Sequence, residues 1–493
     1  MEINNIDIES IVKQVISEVA GNDKGTKVET VATNSVIPKT AKVAMLKSKK
    51  NIEVQEFEIP EISDDEMLIR VEGCGICGTD VHEYKNDPFS LIPVVLGHEG
   101  TGEIVKIGRN INRDTVGNPI GIGDKIVTCT IPCGECDNCL TMPDRDNLCE
   151  NSGIYGLIPD DDKKFNGWFG EYLIIRNGST YFKVNDMDLK TRMLIEPAAV
   201  AVHAVERAKT TGLLSFNSKV LIQGCGPIGL MVMAVIRTMG VENIIAVDGD
   251  TKRLDMAKRL GAKHTVNFRH YKDSEQLKLR IKEITGMGAD FAFQCTGVPQ
   301  AAANIWSFVK RGGGLCEVGF FVDNGNCSIN PHFDICNKEI TAVGSWVYKV
   351  SDYPITLDFL RRAKGIDLPI TDLITHEYPL DKLNEAMDTN MKQAGGLIEV
   401  FGLVAGFVAA DAACKAGNVT IQSFDKNKPL NADKLPVPLL VCLKIRGGID
   451  DVKAALEAAE IAANNLTGVY SKHMIARPTE ETEKMLGLNC LKG

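Results

Sequence analysis

The chain lacks any apolar run close to the roughly 18 residues that a membrane-spanning helix needs. It also lacks a long basic run, and its net charge of -10 disfavours binding to nucleic acid. Its first residues, MEINNIDIESIVKQ, have neither the basic start nor the apolar centre of a secretory signal. These absences predict a cytoplasmic protein whose partners include neither a membrane nor a nucleic acid.

The overall composition is that of an ordinary soluble protein, with 44% hydrophobic and 24% charged residues. A chain of 493 residues is too long for one hydrophobic core, so we expect three or more structural units. Its 15 cysteines would indicate disulfides in a secreted protein. In a large cytoplasmic enzyme they are expected to stay reduced, with several of them binding metal.

The stretch 73–102, GCGICGTDVHEYKNDPFSLIPVVLGHEGTG, contains the densest set of candidate catalytic residues. Cys77, His98 and Glu99 offer a thiolate, an imidazole and a carboxylate, which suit zinc with one position left open for a substrate oxygen. Thr79 and His82 could pass a proton between that oxygen and solvent. The alternative is a buried cysteine and a core histidine with no metal.

The pairing of CGTD at 77–80 with GHE at 97–99 resembles the zinc-dependent medium-chain alcohol and polyol dehydrogenases. The resemblance implies that Cys77 and His98 bind the catalytic zinc. The third ligand of that family is a cysteine or a glutamate. The sequence IEPA at 195–198 stands where it is expected, so Glu196 is the predicted third ligand. Glu99 is then either an alternative ligand or a group behind the ligands.

A second metal site is predicted from four cysteines that lie close together in the sequence: Cys133, Cys136, Cys139 and Cys149. Four thiolates can enclose zinc completely, which is typical of a structural site. The last step of the spacing is about two residues longer than in the family that the chain resembles, and we expect a loop at 141–146 to absorb the difference. Cys129 lies outside the pattern and is expected in the core. Trp168 fills either the core or a substrate pocket.

A dinucleotide site is predicted where the apolar run 219–223 leads into GCGPIG at 224–229 and then into an apolar helix. The loop would approach the pyrophosphate, and the helix N-terminus would meet its charge. Asp248, about twenty residues further on, would accept hydrogen bonds from the ribose hydroxyls and repel a 2′-phosphate, which favours NAD. Arg253 is a further candidate. The residues of the loop expected to contact the cofactor are Gly224, Gly226, Pro227, Ile228 and Gly229.

Together these patterns predict an α/β protein of the resembled family. A GroES-like, β-rich zinc catalytic domain is expected over 41–190 and 346–394, and a Rossmann domain with a doubly wound parallel sheet over 191–345. Residues 395–493 add a compact α/β pattern in the order strand, alanine-rich helix, strand, alanine-rich helix and strand, that is, three strands and two helices. That pattern resembles the bacterial microcompartment shell (BMC) domain, in which Lys415 would match the edge lysine.

The N-terminus is expected to form an amphipathic helix over 1–21 and a linker over 22–40. Its apolar residues recur at helical spacing: Ile8, Ile11, Val12, Val15, Ile16 and Val19. The pattern resembles peptides that carry enzymes into bacterial microcompartments. The alternative is a helix that packs on its own catalytic domain.

The resemblance implies a dehydrogenase that uses two zinc ions per chain and NAD to interconvert an alcohol, diol or polyol and its ketone or aldehyde. It further implies a homo-oligomer in the bacterial cytoplasm, associated with a microcompartment and with its shell proteins. Three alternatives remain: a short-chain aldehyde reductase that recycles NAD, a threonine-type dehydrogenase, and a structural shell protein with an inactive dehydrogenase.

Overall fold

The computed structural model describes residues 37–391, 394–417, 419–428, 432–475, 478 and 480–488. All of the elements described below belong to the unit Lys39–Gly493. The amphipathic helix predicted for 1–21 and most of the predicted linker lie outside the described residues. None of the described helices is both long and apolar enough to cross a membrane.

The first part of the fold is a β-rich unit made of two antiparallel sheets. One sheet has the strand order β2-β1-β4 and the other β7-β3-β5-β6-β8. Apolar side chains that alternate along β3, β5 and β6 form a core around the buried Trp168. The strands are β1 (Thr40–Ser48), β2 (Asn51–Glu58), β3 (Met67–Gly75), β4 (Val94–Val95), β5 (Glu99–Ile107), β6 (Lys125–Thr128), β7 (Tyr172–Ile175) and β8 (Tyr181–Lys183).

Two helices interrupt this unit. Helix α1 (Gly78–Asn86) follows β3 directly, and Asp80 in its first turn accepts a hydrogen bond from the backbone of Cys77, which fixes the helix start. Helix α2 (Asp137–Thr141) and a 3-10 segment (Pro143–Leu148) form most of the lobe that contains the four predicted zinc cysteines.

The central part is a six-stranded parallel sheet with the order β11-β10-β9-β12-β13-β14, as in dinucleotide-binding folds. The central strands of this sheet, β9, β10 and β12, are short buried apolar runs because helices cover both faces. The strands are β9 (Val220–Gln223), β10 (Ile244–Asp248), β11 (His264–Asn267), β12 (Ala289–Gln294), β13 (Val309–Glu317) and β14 (Thr341–Gly344). The helices up to the end of this sheet are α3 (Leu189–Met193), α4 (Ile195–Lys209), α5 (Pro227–Thr238), α6 (Thr251–Arg259), α7 (Ser274–Thr285) and α8 (Pro299–Phe308).

After β14 the chain returns to the β-rich unit. Helix α9 (Asp352–Gly365) follows, and the Tyr353 hydroxyl in its first turn donates to the backbone oxygen of Thr128 at 2.7 Å. Helix α10 (Leu383–Met391) contributes Asn384, whose amide exchanges two hydrogen bonds with the backbone of Ile52. The chain therefore closes on the strands with which the β-rich unit began.

The C-terminal unit is a four-stranded antiparallel sheet with the order β16-β17-β15-β18. Two alanine-rich helices pack on one of its faces, where the small side chains permit close approach to the sheet and to each other. The strands are β15 (Ala394–Phe401), β16 (Val419–Asn427), β17 (Leu440–Gly447) and β18 (Val469–Ile475). The helices are α11 (Leu403–Ala416), α12 (Ile449–Asn464) and α13 (Glu480–Gly487).

This unit contains more elements than the sequence pattern predicted, which was three strands and two helices. Strand β16 and helix α13 were not anticipated because the residues that join them are polar. Ser423 donates to the backbone oxygen of Leu486. The buried Lys444 pairs with Asp425 and donates to the backbone oxygens of Met485 in α13 and of Leu488 just after it. Val419, Ile421 and Phe424 of β16 pack against the core, but the buried polar Ser423 interrupts the apolar alternation expected of a strand.

Candidate metal and dinucleotide sites

The pairing of β3 with β5 brings the first cluster together. Gly75 at the end of β3 lies opposite Glu99 at the start of β5, so that the residues just beyond each end, Cys77 and His98, meet. A Cβ atom on Gly75 would lie 2.0 Å from the Glu99 carboxylate, so the glycine provides the space that this carboxylate occupies. The antiparallel register thus accounts for the meeting of two motifs that are separated in sequence.

The ligand atoms of Cys77, His98 and Glu99 all lie within 4.8 Å of one another, and His98 is buried. Asp80 supports two of these residues. Its Oδ2 accepts a hydrogen bond from Cys77 N at 2.9 Å, and its Oδ1 lies 3.3 Å from His98 Nδ1. Since Nδ1 faces Asp80, Nε2 is the nitrogen left for a metal, an arrangement typical of histidine ligands.

The cluster concentrates negative charge in a poorly hydrated place. Burial and the nearby Glu196 carboxylate raise the pKa of Glu99 to about 8. Burial likewise raises the pKa of Glu196 and of the Cys77 thiol. Burial and mutual repulsion disfavour the ionised forms of these two carboxyl groups and this thiol. A divalent cation bound between them would stabilise the ionised forms. The residues therefore fit a zinc ion, although Glu196 lies outside the group of three that are within 4.8 Å.

Thr79 and His82 lie on α1 beside this cluster. The Thr79 hydroxyl is 3.6 Å from the Cys77 sulfur, and His82 follows one turn later. The His82 ring meets Phe321 edge-on with centroids 5.3 Å apart, and burial and Lys85 lower its pKa. Phe321 comes from the loop after β13 and was not anticipated from the sequence.

Tyr348 is a second residue that the sequence analysis missed. It is fully buried, and its hydroxyl lies close enough to the Glu196 carboxylate to oppose the effect of burial on the pKa of Glu196. Tyr348 and Glu196 lie far apart in the sequence, and no local motif marks the tyrosine.

The four predicted structural cysteines also come together, with all four sulfurs within 4.8 Å of one another. The Sγ atoms of Cys136 and Cys149 are 3.9 Å apart, close to the about 3.8 Å expected across a zinc tetrahedron with Zn–S bonds of about 2.3 Å. Backbone N–H groups of Glu135 and Cys136 lower the pKa of Cys133 to about 6, as suits a thiolate ligand. The donor set and spacing fit zinc.

Two other residues have the expected core positions. Cys129 is buried and is not part of the four-cysteine group. Trp168 is 1% exposed, and its indole N–H donates to the Thr128 hydroxyl at 3.1 Å, so it fills the core rather than a substrate pocket.

The glycine-rich loop joins β9 to α5. Gly224 has a φ of +93°, and a Cβ there would meet Thr296 at 2.4 Å. A Cβ on Gly229 would lie 1.9 Å from the backbone oxygen of Gly224, whereas one on Gly226 would meet nothing within 4 Å. The first and third glycines are thus required by packing, and Gly226 faces open space beside the helix N-terminus, where a phosphate can approach. Pro227 and Ile228 form the first turn of α5.

Asp248 ends β10 and is tied to the same loop. Its carboxylate accepts hydrogen bonds from Cys225 N at 2.7 Å and from Asp250 N at 2.8 Å. Arg253 lies exposed in the first turn of α6. A residue not anticipated is Arg269, which contacts Phe268 and lies where a side chain on Gly249 would be. Arg269 therefore lies next to the end of β10, and Arg253 follows in the helix after it.

Comparison with known proteins identifies three matching family models. The alcohol dehydrogenase GroES-like domain matches residues 63–186 and the zinc-binding dehydrogenase matches residues 227–362. The BMC domain matches residues 394–478. The three matches follow one another along the chain in the same order as the β-rich unit, the parallel sheet and the C-terminal unit.

Individual relatives match about 70% of the chain. The chain is 32% identical to the sorbitol dehydrogenase of Bacillus subtilis, over 71% of this chain and 94% of that protein. It is 31% identical to the D-arabitol-phosphate dehydrogenase of Enterococcus avium, over 68% and 90%. The solved alcohol dehydrogenase of Thermotoga maritima matches with a TM-score of 0.65 and 30% identity, over 71% and 97%.

Proposed function

Because the chain belongs to the zinc-dependent alcohol and polyol dehydrogenase family and carries a BMC domain, we propose that it oxidises a polyol, diol or other secondary alcohol with NAD in a bacterial microcompartment. The observation that carries the proposal is the meeting of Cys77, His98 and Glu99 beside the Thr79 hydroxyl. The reaction removes a hydride and a proton from a CH–OH group and leaves a ketone or an aldehyde.

Cys77, His98 and Glu99 would hold the catalytic zinc, with Glu196 as the neighbouring carboxylate. The sequence analysis expected Glu196 as the third ligand and Glu99 as the alternative. We assign Glu99 as the ligand because its carboxylate lies within 4.8 Å of the ligand atoms of Cys77 and His98. A zinc ion bound there supplies a Lewis acid that lowers the pKa of an alcohol hydroxyl. The four cysteines of residues 133–149 would hold the second zinc ion, in a site with no open position.

Thr79 and His82 would move the proton. The Thr79 hydroxyl lies next to the Cys77 sulfur and is therefore placed to accept the proton of a substrate hydroxyl. His82 stands one turn further along α1, and its lowered pKa keeps the ring neutral and able to take the proton onward.

The nicotinamide cofactor supplies the hydride acceptor. Gly226 leaves open space at the N-terminus of α5 for the pyrophosphate, and the Asp248 carboxylate lies at the end of the next strand. A carboxylate in that place favours ribose hydroxyls over a 2′-phosphate, which supports NAD as the preferred cofactor. Arg253 and Arg269 are close enough in the fold to affect this preference.

The substrate class is supported by the similarity to the sorbitol and D-arabitol-phosphate dehydrogenases. The test is a set of initial rates for the zinc-replete full chain with NAD and NADP. The substrates are hexitols, pentitols, vicinal diols, threonine, ethanol and 1-propanol. We expect the highest kcat/KM for a polyol or diol with NAD, and a Cys77→Ala variant should be inactive.

The same panel separates the alternatives. Faster reduction of short aldehydes than oxidation of any alcohol would indicate an NAD-recycling reductase, and a preference for threonine would indicate the aminoketone-forming reaction. Bound zinc without turnover on any substrate would contradict the proposal and favour a structural role.

Association with shell proteins is the second part of the proposal, and it is supported by the BMC domain match at residues 394–478. Lys415, on the predicted edge, is exposed and pairs with Asp411 at 2.7 Å. The test is co-sedimentation of the full chain with co-expressed, unfused shell proteins. We expect Lys415→Ala to reduce co-sedimentation, while Lys453→Ala, at an exposed position of α12, should leave it unchanged. If both variants co-sediment with the shell proteins to the same extent, the assignment of Lys415 to the edge of the BMC domain is contradicted.

A further inference from the structure

The segment 346–350, here called the Tyr348 turn, has a backbone that needs outside support. Val347 has a φ of +51°, which is unfavourable for a β-branched residue. The next residue, Tyr348, is buried, and its hydroxyl lies close to the Glu196 carboxylate. A turn with an unfavourable backbone conformation therefore holds the Tyr348 hydroxyl beside this carboxylate.

The support comes from the lobe of residues 133–149 that carries the four cysteines. The Asn147 side chain donates to the backbone oxygen of Trp346 at 2.9 Å, and the Asp146 carboxylate accepts from Val350 N at 3.1 Å. These two bonds hold the Tyr348 turn at both ends. Asn147 is only 5% exposed, so water does not readily replace its bond.

The same asparagine is linked to the helix that carries Glu196. Glu196 and His203 are seven residues apart on α4, close to two full turns, and so lie on the same side of the helix. His203 Nδ1 lies 2.8 Å from the Asp352 carboxylate, and its Nε2 lies 3.4 Å from the Asn147 amide. Asp352 also accepts from Lys349 N in the Tyr348 turn at 2.8 Å.

Both elements that set the direction of the Glu196 carboxylate, helix α4 and the Tyr348 turn, are thus bonded to neighbouring residues of one lobe. We propose that Asn147 and Asp146 are positioning residues for Glu196. They hold the Tyr348 turn so that its hydroxyl orients the carboxylate beside the catalytic ligands. The inference rests on the proposed function, since it gives Glu196 a role at the zinc site. It also assigns the four-cysteine lobe a part in catalysis in addition to its local stability.

The loop of the lobe explains why this link escapes the sequence pattern. The step from Cys139 to Cys149 is longer than expected, and Asp146 and Asn147 lie at the end of that step. In the structure the longer step forms a 3-10 segment (Pro143–Leu148) that reaches the Tyr348 turn. The longer step between Cys139 and Cys149 thus contains the two residues, Asp146 and Asn147, that bond to the Tyr348 turn.

The experiment is a double-mutant cycle of Asn147→Ala and Tyr348→Phe in the full-length protein. Its readouts are kcat and the retention of zinc against a chelator. Cys77→Ser identifies which of the two released ions belongs to the catalytic site. Each single variant should lower kcat and catalytic-zinc retention about tenfold, with the KM for NAD unchanged. Because both act on one carboxylate, the double variant should lose little more than either single variant.

Two further variants keep the test independent of a general loss of folding. Asp146→Asn keeps an oxygen that can accept from Val350 N and should restore most of the kcat that Asp146→Ala loses. Asn138→Ala is the matched control, since Asn138 donates at 2.8 Å to Leu148 within the same lobe. It should lower the thermal midpoint as much as Asn147→Ala does, without changing zinc retention at the Cys77 site.

The outcomes distinguish this inference from the proposed function. Losses that multiply in the double variant, or equal effects of Asn138→Ala and Asn147→Ala on zinc retention, would overturn the positioning role. If the parent protein turns over no substrate, the proposed function fails, and the zinc-retention cycle still decides whether Asn147 and Tyr348 act together.

Discussion

Asp80 Oδ1 lies 3.3 Å from Nδ1 of His98, while the other oxygen of the same carboxylate accepts a hydrogen bond from the backbone of Cys77. The buried Asp80 side chain thus contacts two of the proposed zinc ligands. It meets His98 at the imidazole ring and Cys77 at the backbone N–H. The third contact of Asp80, from Gly97 N at 3.1 Å, ties it to the strand that carries Glu99.

We predict that Asp80→Asn weakens zinc binding at the Cys77 site about 10- to 100-fold. The asparagine amide has a single oxygen, whereas Asp80 uses one oxygen for Cys77 N and the other for Gly97 N. The amide also lacks the negative charge that faces His98. The measurement is zinc competition with a chromogenic chelator, and Asp381→Asn, at an exposed position, is the control. Equal zinc affinity in the parent and in Asp80→Asn would contradict this support of the ligands.

The Thr79 hydroxyl is predicted to be essential for proton transfer and dispensable for metal binding. Thr79→Ala should lower kcat about 10²- to 10⁴-fold, the usual contribution of a positioned proton-transfer group, with the zinc content unchanged. Thr79→Ser keeps the hydroxyl and should retain most of the activity. Measured kcat and zinc content of the three proteins test the prediction, and an inactive serine variant would argue against the hydroxyl as the active feature.

The architecture was largely predictable because its signals are local. The loop 224–229 lies between an apolar strand and an apolar helix, and both elements appear where the pattern places them. The pairing of β3 with β5, however, follows from hydrogen-bond register, which a sequence motif does not specify. The distances that favour Glu99 over Glu196 depend on that register.

Residues that join the site from distant parts of the chain could not be predicted. Tyr348 and Phe321 reach Glu196 and His82 from loops whose sequences carry no periodic or motif signal. A further example is Lys444, a buried lysine in an otherwise apolar strand, whose partners lie on two other elements. Such contacts depend on tertiary structure, and single-sequence patterns register only neighbours along the chain.

The Asp248 carboxylate is predicted to set the cofactor preference. Asp248→Asn should raise the KM for NAD about tenfold, equivalent to about 1.4 kcal/mol, and should narrow the difference between NAD and NADP. The reason is that loss of the negative charge weakens the ribose contacts and removes repulsion of a 2′-phosphate. The measurement is kcat/KM with each cofactor, and Asp255→Asn, exposed on the following helix, is the matched control. An unchanged ratio would assign the discrimination to Arg253 or Arg269.

The last prediction concerns Glu83, a fully buried carboxyl on α1 that has no part in the proposed reaction. Burial raises its pKa to about 7, and the carboxylates of Asp87 and Asp80 add to this effect, while the backbone N–H of Phe89 opposes it. Because the pKa is higher in the folded chain than in the unfolded one, the folded chain binds more protons between about pH 4.5 and 7. The free energy of unfolding therefore falls as the pH rises through this window.

Glu83→Gln removes this ionisation, and its amide oxygen can still accept from the backbone N–H of Phe89. We expect the variant to be more stable than the parent by about 3 kcal/mol at pH 8, and equally stable below about pH 4.5. Thermal midpoints measured across this range at constant zinc test the prediction, with Glu58→Gln, at an exposed position of β2, as the control. A difference between Glu83→Gln and the parent that does not depend on pH would mean that packing, rather than the charge of Glu83, accounts for the change.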